Sequence, residues 1–351
     1  MQLPALPSSA LSQLAAVTDG ALRVGPVTGV PVLLRELGQD PAEVFREAGV
    51  DIGLLEDPEN CIGFRALGRL LARCALRCSC DHFGLLVGEH RGLDALGLVG
   101  MLVQHSPNVG GALRNLVLHL HLHDRGAVPI ATVEGDRALF GYAVYQPGIE
   151  GTSQIHDAAM AIGHNILKSL CGPAWEPTEV VFSHSRPANL EPYRRIFRAP
   201  LRFDSERSAL VFSATWLEQP ITHADPELRR LLEERIAELE SMGPGDVVDQ
   251  VRRVLRNLML GGRGSLEQVA SVFAVHRRTL NRRMRAHGLT FKELVEEVRY
   301  DIARQLLAET HLAVVEVAAV LEYADAASFT RAFRRWSGTT PAAWRAGRRA
   351  S

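Results

Sequence analysis

His276-Arg277-Arg278-Thr279-Leu280-Asn281-Arg282-Arg283-Met284-Arg285 places five arginines in ten residues, with Leu280 and Met284 four apart as the apolar exceptions. Such a segment reads as a helix that buries one narrow stripe and turns a cationic surface outward. Just upstream, Leu266, Val269, Ala270 and Phe273 follow the i, i+3, i+4, i+7 spacing of a short amphipathic helix, and Ser265 with Gln268 forms a capping-box pattern at its start. The arrangement returns 48 residues later. Val314, Val317, Ala318 and Leu321 repeat the stripe, and Phe329, Phe333 and Trp336 are the expected core of a second helix that carries Arg331, Arg334 and Arg335.

A short helix, a tight turn and a basic second helix make a helix-turn-helix, whose second helix enters the DNA major groove. Arginine can donate two hydrogen bonds to guanine, and asparagine such as Asn281 can pair with adenine. One arginine-rich helix could be no more than a solvated face; its duplication at matching spacing favours two DNA readers. Between them, Leu294, Val298, Ile302 and Leu306 recur every four residues within Phe291–Leu307. That predicts a single linker helix about 25 Å long, at about 1.5 Å per residue. Two readers on such a rod could enter successive major grooves, about 34 Å apart.

Thr279-Leu280-Asn281-Arg282-Arg283-Met284, Gly288-Leu289-Thr290-Phe291, Arg299 with Ala303, Leu306 and Leu307, and Ser328-Phe329-Thr330-Arg331-Ala332-Phe333-Arg334-Arg335-Trp336-Ser337-Gly338 with Pro341 together resemble the tandem DNA-binding domain of AraC/XylS-type bacterial transcription regulators. The likeness covers about residues 250–345. It implies base-reading positions at Arg278, Asn281 and Arg282 in the first unit and at Ala327, Ser328 and Arg331 in the second. With the rest of the basic surface, the expected DNA-binding set is His276, Arg277, Arg278, Asn281, Arg282, Arg283, Arg285, Ala327, Ser328, Arg331, Arg334 and Arg335. Departures fall mostly in the second unit. Ala313 stands where the family places a Ser or Thr cap, and Glu322, like Ala274 in the first unit, occupies a turn position where glycine is usual. Ala326 and Ala327 offer only methyl groups. The second reader is therefore expected to be the less specific one.

The charge distribution agrees. The 351 residues carry a net charge of -1, yet from Gly245 onward there are 18 Lys and Arg against 11 Asp and Glu, a balance of +7, which leaves −8 on residues 1–244. A basic third attached to an acidic remainder suggests a polyanion-binding module carried by something else. With 46% hydrophobic and 23% charged residues the chain is an ordinary globular protein rather than a disordered one. Its longest apolar run, Ala95–Val103, is too short for a membrane span, and Met1-Gln2-Leu3-Pro4-Ala5-Leu6-Pro7 does not read as a secretion signal. An odd count of five cysteines suggests reduced thiols and a cytoplasmic location.

Residues 20–220 read as mixed α and β. Helices are expected at Phe64–Arg77, Val109–His119 and Ser153–Leu170, a hairpin at Ala127–Val133 and Ala138–Tyr145 around Gly135-Asp136, and further strands at Glu179–Phe182 and Ala209–Ser213. Phe64-Arg65-Ala66-Leu67-Gly68-Arg69-Leu70-Leu71, His82-Phe83-Gly84-Leu85 and Asn165-Ile166-Leu167-Lys168-Ser169-Leu170-Cys171-Gly172 resemble the arabinose-binding-like domain of one branch of the same regulators. That likeness implies an effector-sensing and dimerisation domain without naming the effector. A helix from Asp225-Pro226, with Leu228, Leu232, Ile236 and Leu239 on one face, ends near Gly243-Pro244-Gly245, an interdomain hinge in composition. Its apolar face suits either its own domain or a second copy.

Three clusters could carry chemistry. His119, His121 and His123 offer a zinc-like spacing, with no nearby Glu or Cys in sequence to complete a set. Cys74, Cys78 and Cys80 could be buried small residues or a thiol switch. His156-Asp157 and His164 could do acid-base work, but no nucleophile elbow, P-loop or dinucleotide fingerprint accompanies them. The expectation is an α+β sensor and dimerisation domain over residues 1–244, followed by an all-α domain over 245–351 with two helix-turn-helix units joined by a linker helix. The function expected is a non-enzymatic, sequence-specific transcription regulator, activator rather than repressor, without cofactor or metal. Its expected partners are double-stranded DNA, a small-molecule effector, a second copy of itself and RNA polymerase, with no membrane. The alternative is a DNA-binding regulator whose N-terminal domain only dimerises or senses oxidation; an N-terminal enzyme is a third.

Overall fold

The structure, a computed structural model, describes residues 20–144, 149–205, 207–242, 247–260, 264–272, 276–310 and 312–349. Phe273, Ala274 and Gly243-Pro244-Gly245 lie outside the described residues. The chain divides into two compact units, the described residues up to Met242 falling in the first and those from Val247 in the second.

In the first unit, a two-stranded antiparallel pair joins β1 (Ala21–Arg23) to β2 (Cys61–Gly63). The apolar alternation around Gly135-Asp136 closes as a hairpin of β3 (Ala127–Glu134) and β4 (Arg137–Val144), with Glu134 opposite Arg137. Gly135 sits at φ +63°, which a side chain would disfavour. With β5 (Glu179–Val181), β6 (Leu201–Arg202) and β7 (Ser208–Ser213) the sheet runs β3-β4-β7-β5-β6, antiparallel except for the β5–β6 pair. Around the two sheets lie α1 (Val30–Glu36), α2 (Pro41–Ala48), α3 (Phe64–Arg77), α4 (Phe83–Glu89), α5 (Gly97–Gln104), α6 (Val109–His119), α7 (Thr152–Cys171), α8 (Glu191–Phe197) and α9 (Pro226–Met242). Asn108 caps α6 by accepting the Gly111 amide at 2.8 Å, which offsets the weak start that two glycines impose.

The unit has two apolar cores. One gathers Leu116, Phe140, Ile162, Ile166, Trp175, Phe182 and Leu210 between the larger sheet and α6, α7 and α8. The other gathers Leu22, Val27, Phe45, Phe64, Leu67 and Leu71 around the small sheet and α1 to α3. Leu232 and Ile236 of α9 are buried in the first core, and Leu228 packs against it. The apolar face of α9 is thus spent within its own unit and does not offer the self-pairing surface that its spacing allowed. Helix α4 lies directly on α7: a Cβ at Gly84 would fall 2.0 Å from the Gln154 carbonyl oxygen, and one at Gly88 2.4 Å from that of Ala158.

The second unit is helical throughout its described residues: α10 (Val247–Leu260), α11 (Leu266–Val272), α12 (Arg277–Ala286), α13 (Phe291–Glu309), α14 (Val314–Val320), α15 (Ala326–Ser337) and α16 (Pro341–Arg349). Leu294, Val298, Ile302 and Leu306 of α13 are all buried, as the spacing required. Helix α10 packs on α13 and on the first helix pair, and its Arg252 and Arg256 reach Glu297 and Asp301 of α13 at 2.9 and 3.0 Å. The second pair packs on α13 directly, where Tyr300 meets Phe333 and Trp336 edge-on or tilted, 5.7 Å between ring centres.

Gly84→Ala should lower stability by about 1–3 kcal/mol, because an atom is forced into backbone that cannot move alone. Thermal unfolding of the full chain measures it; an unchanged melting temperature would contradict the close α4–α7 approach.

Candidate nucleic-acid interface and ligand cavity

Leu280 and Met284 anchor α12 from below, so the remaining positions face outward: Arg278, Arg282, Arg283 and Arg285 are exposed and Asn281 is half-buried. None of these four arginines has an ion-pair partner among the described residues. Arg277 differs, because its guanidinium meets Glu267 of α11 at 2.6 Å and braces the pair of helices. The ring of His276 accepts the Arg278 amide at 3.3 Å, which makes it the cap of α12 as well as a surface group. The Ser265–Gln268 capping box is present in both directions, at 3.0 and 3.2 Å.

In the second unit Asp325 caps α15, its carboxylate accepting the Ser328 amide at 2.6 Å. Ala327, Arg331, Arg334 and Arg335 are exposed and Ser328 is half-buried. Arg331 donates to the Ser328 hydroxyl at 2.9 Å, while Arg335 is paired with Glu296 of α13 at 3.0 Å. Trp336 is half-buried rather than a full core residue, its indole beside the same Glu296. Ala313 supplies no side-chain cap to α14, and only the Glu316 carboxylate returns to the Ala313 amide. Glu322 has φ +60°, the conformation the family's glycine would relax, and its carboxylate lies 3.6 Å from Arg299.

The first unit holds a cavity where its two cores meet. It encloses about 810 Å³ of atom-free space, including its open mouth. Leu22, Leu67 and Leu71 line it from one core, Leu120, Phe140, Ile162 and Ile166 from the other. Its polar lining is His123, Asp124 and Tyr142. Asp124 is satisfied: one oxygen accepts the amides of Gly126 and Ala127 at 2.9 and 3.1 Å, the other the Tyr142 hydroxyl. Burial pushes its carboxyl up to about 7 against these hydrogen bonds. Both ring nitrogens of His123 are buried without a partner among the described residues, and burial, with the nearby charge of Arg23, pushes the imidazole down to about 3. An unpaired buried polar group of this kind costs about 1–3 kcal/mol.

Residues 38–221 match the arabinose-binding N-terminal domain of AraC transcription regulators, and residues 269–347 match a helix-turn-helix domain. The chain belongs to the AraC family of DNA-binding transcription regulators. It is 28% identical over 327 residues to the HTH-type transcriptional regulator VirS of Mycobacterium tuberculosis, covering 93% of this chain and 96% of VirS. It is 25% identical over 316 residues to the ornithine utilization regulator of Pseudomonas aeruginosa, covering 89% and 93%. The crystal structure of the transcriptional regulator CdpR from Pseudomonas aeruginosa aligns over 89% of this chain and 97% of that one, at 22% identity and a TM-score of 0.42.

The three clusters of this AraC-type regulator resolve differently. His119 ends α6, so His119 and His123 do not share a helix face. The fold supplies a Glu that the sequence neighbourhood lacked: Glu240 of α9 lies 3.0 Å from His119 Nδ1 and 3.4 Å from His121 Nε2, while His123 lines the cavity instead. No group of three metal-binding side chains occurs among the described residues. Burial holds the Cys74 thiol up to about 12 and raises Cys78 and Cys80 as well, the opposite of what a reactive thiolate needs. His156 Nδ1 meets the Ser183 hydroxyl at 3.2 Å, but Asp157 pairs with His184 at 2.9 Å and accepts from Tyr193 at 2.7 Å, so these groups form no Ser-His-Asp relay. Burial, followed by the charge of His184, holds His156 down to about 4; burial likewise lowers His164. For His184 burial lowers the value, and the hydrogen bond and charge of Asp157 more than reverse it.

Two expectations follow. Between about pH 6.5 and 4 the unfolded chain takes protons on His123 and His156 that the folded one refuses, while folded Asp124 keeps one proton that the unfolded chain has released. The histidines outnumber the carboxyl, so the melting temperature should fall on acidification through this window, and His156→Asn should flatten the slope; a melting temperature that rises would refute the sign. Glu322→Gly and Glu322→Ala both lose the Arg299 pair, but only the first relaxes the backbone, so the glycine variant should be the more stable by about 1 kcal/mol in chemical denaturation.

Proposed function

We propose that this protein is a ligand-responsive transcription activator that works in the cytoplasm as a homodimer, residues 1–244 sensing an effector and dimerising, residues 245–351 reading double-stranded DNA. The observation that carries the DNA-reading assignment is the face of α12, where Arg278, Arg282, Arg283 and Arg285 stand unpaired among the described residues above a buried Leu280 and Met284. Arg278, Asn281 and Arg282 read bases in the first half-site. Ser328 and Arg331, beside Ala327, make the second reader less selective. Arg334 is a phosphate contact, and Arg277 and Arg335 contribute less than their charge, being already neutralised by Glu267 and Glu296.

The cavity supports an effector over a purely structural first unit. Leu116, Leu120 and His123, which line it, belong to the same stretch as His119 and His121, which hold Glu240 in the last turns of α9. A ligand that favours one arrangement of this stretch would shift how the DNA-reading unit is presented. Activation and contact with RNA polymerase follow the family resemblance.

Affinity of the full chain for a selected operator should fall with salt at a log–log slope of about −5, for about five or six neutralised phosphates. At fixed salt, Arg282→Ala should relax base preference in one half-site by about 1–3 kcal/mol. Arg334→Ala should weaken all operator variants alike. Anisotropy titrations on single-base variants decide; base preference that survives Arg282→Ala would overturn the assignment.

A further inference from the structure

We propose that the cavity of the first unit binds an uncharged molecule with a hydrocarbon body and one hydroxyl or carbonyl group, held by that group at His123. The inference rests on reading residues 1–244 as a sensor. It names the chemistry of what is sensed.

The body follows from the walls. Both cores contribute aliphatic and aromatic side chains, a lining that disfavours a heavily hydrated solute. The head follows from the hydrogen-bond inventory. Asp124 and Tyr142 satisfy one another, with the Gly126 and Ala127 amides on the second carboxylate oxygen. His123 alone among the polar lining residues has donor and acceptor capacity left over, one ring N–H and one lone pair, at 4% exposure. A hydroxyl can meet either ring nitrogen, and a carbonyl oxygen the ring N–H, without bringing a charge into an apolar chamber.

A charged head is disfavoured on both signs. An anion would enter beside the Asp124 carboxyl with no Lys or Arg in the lining. Arg23, whose charge acts on His123, is not in the lining: its Nε meets the Leu122 carbonyl at 3.1 Å and its Nη1 the Glu59 carbonyl and carboxylate at 2.9 and 2.7 Å, while its Nη2 is buried without a partner among the described residues. An ammonium would find only one lone pair left on Asp124, on the oxygen already shared with Tyr142, and a neutral imidazole that can take only one of its three protons.

The experiment compares 1-decanol, decanoate and decylamine, one body with three heads, by calorimetric titration of the full-length protein at pH 7.5. We expect 1-decanol to bind about tenfold more tightly than either charged compound, a difference of about 1.4 kcal/mol. His123→Leu, which removes an unsatisfied group and should fold, is expected to erase that preference while retaining hydrocarbon binding. Ala159→Phe, which fills the lining, should abolish binding of all three. Tighter binding of decanoate or decylamine, no binding of 1-decanol, or a preference that survives His123→Leu would overturn the proposal. Operator affinity is measured with and without 1-decanol: tight binding that leaves operator affinity unchanged sinks the sensor reading while the ligand class stands.

Discussion

The buried stripe of α13 is the constraint on which DNA reading depends. Each helix-turn-helix pair is too small to hold a core of its own, and isolated helices of this length are marginal in water. Leu294, Val298, Ile302 and Leu306 are buried along the helix on which α10 and the second pair both pack. The two pairs meet it unequally. The second pair touches α13 directly through Phe333 and Trp336, whereas the first reaches it largely through α10, whose Arg252 and Arg256 are fastened to Glu297 and Asp301. The pair with the stronger complement of base-reading groups is therefore the one carried on a strut.

In the first unit the corresponding constraint is the approach of α4 to α7. Gly84 and Gly88 sit four residues apart on the face that meets Gln154 and Ala158, so the two helices lie backbone against carbonyl. This fixes α7, and α7 in turn carries Ile155, Ala158, Ile162 and Ile166 past the cavity. The Gln154 side chain completes the joint, accepting the Gly84 amide at 2.7 Å and donating to the Asp81 carbonyl at 2.7 Å.

Elements whose apolar residues keep a strict period were open to reading from the sequence: α3, α6, α7, α13 and the β3–β4 hairpin fall within a residue or two of where spacing and turn residues put them. Helices α4 and α5 were not, because Gly84, Gly88, Gly97 and Gly100 interrupt segments packed on several sides, which leaves no polar face to reveal a period. Val248, Val251, Leu255 and Leu258 do carry a helical period in α10, but its role as a strut depends on partners 45 residues away. The cap at Asp325 had a readable signal, an acidic residue just before a helix. The arginine surface of α12 is likewise visible in sequence, whereas the neutralisation of Arg277 and Arg335 is not. The cavity is invisible in sequence, since its walls come from strands and helices between Leu22 and Leu210 that no local pattern connects.

That cavity lies between two cores instead of inside one, and α4, α7 and the β3–β4 hairpin run through both. Each core could loosen with partial independence, as contiguous cooperative regions of proteins do. A molecule filling the gap touches both at once, so its binding free energy appears as cohesion between them. Occupancy would then be registered as a change in the cooperativity of the whole unit, with no need for any single strand or helix to travel far.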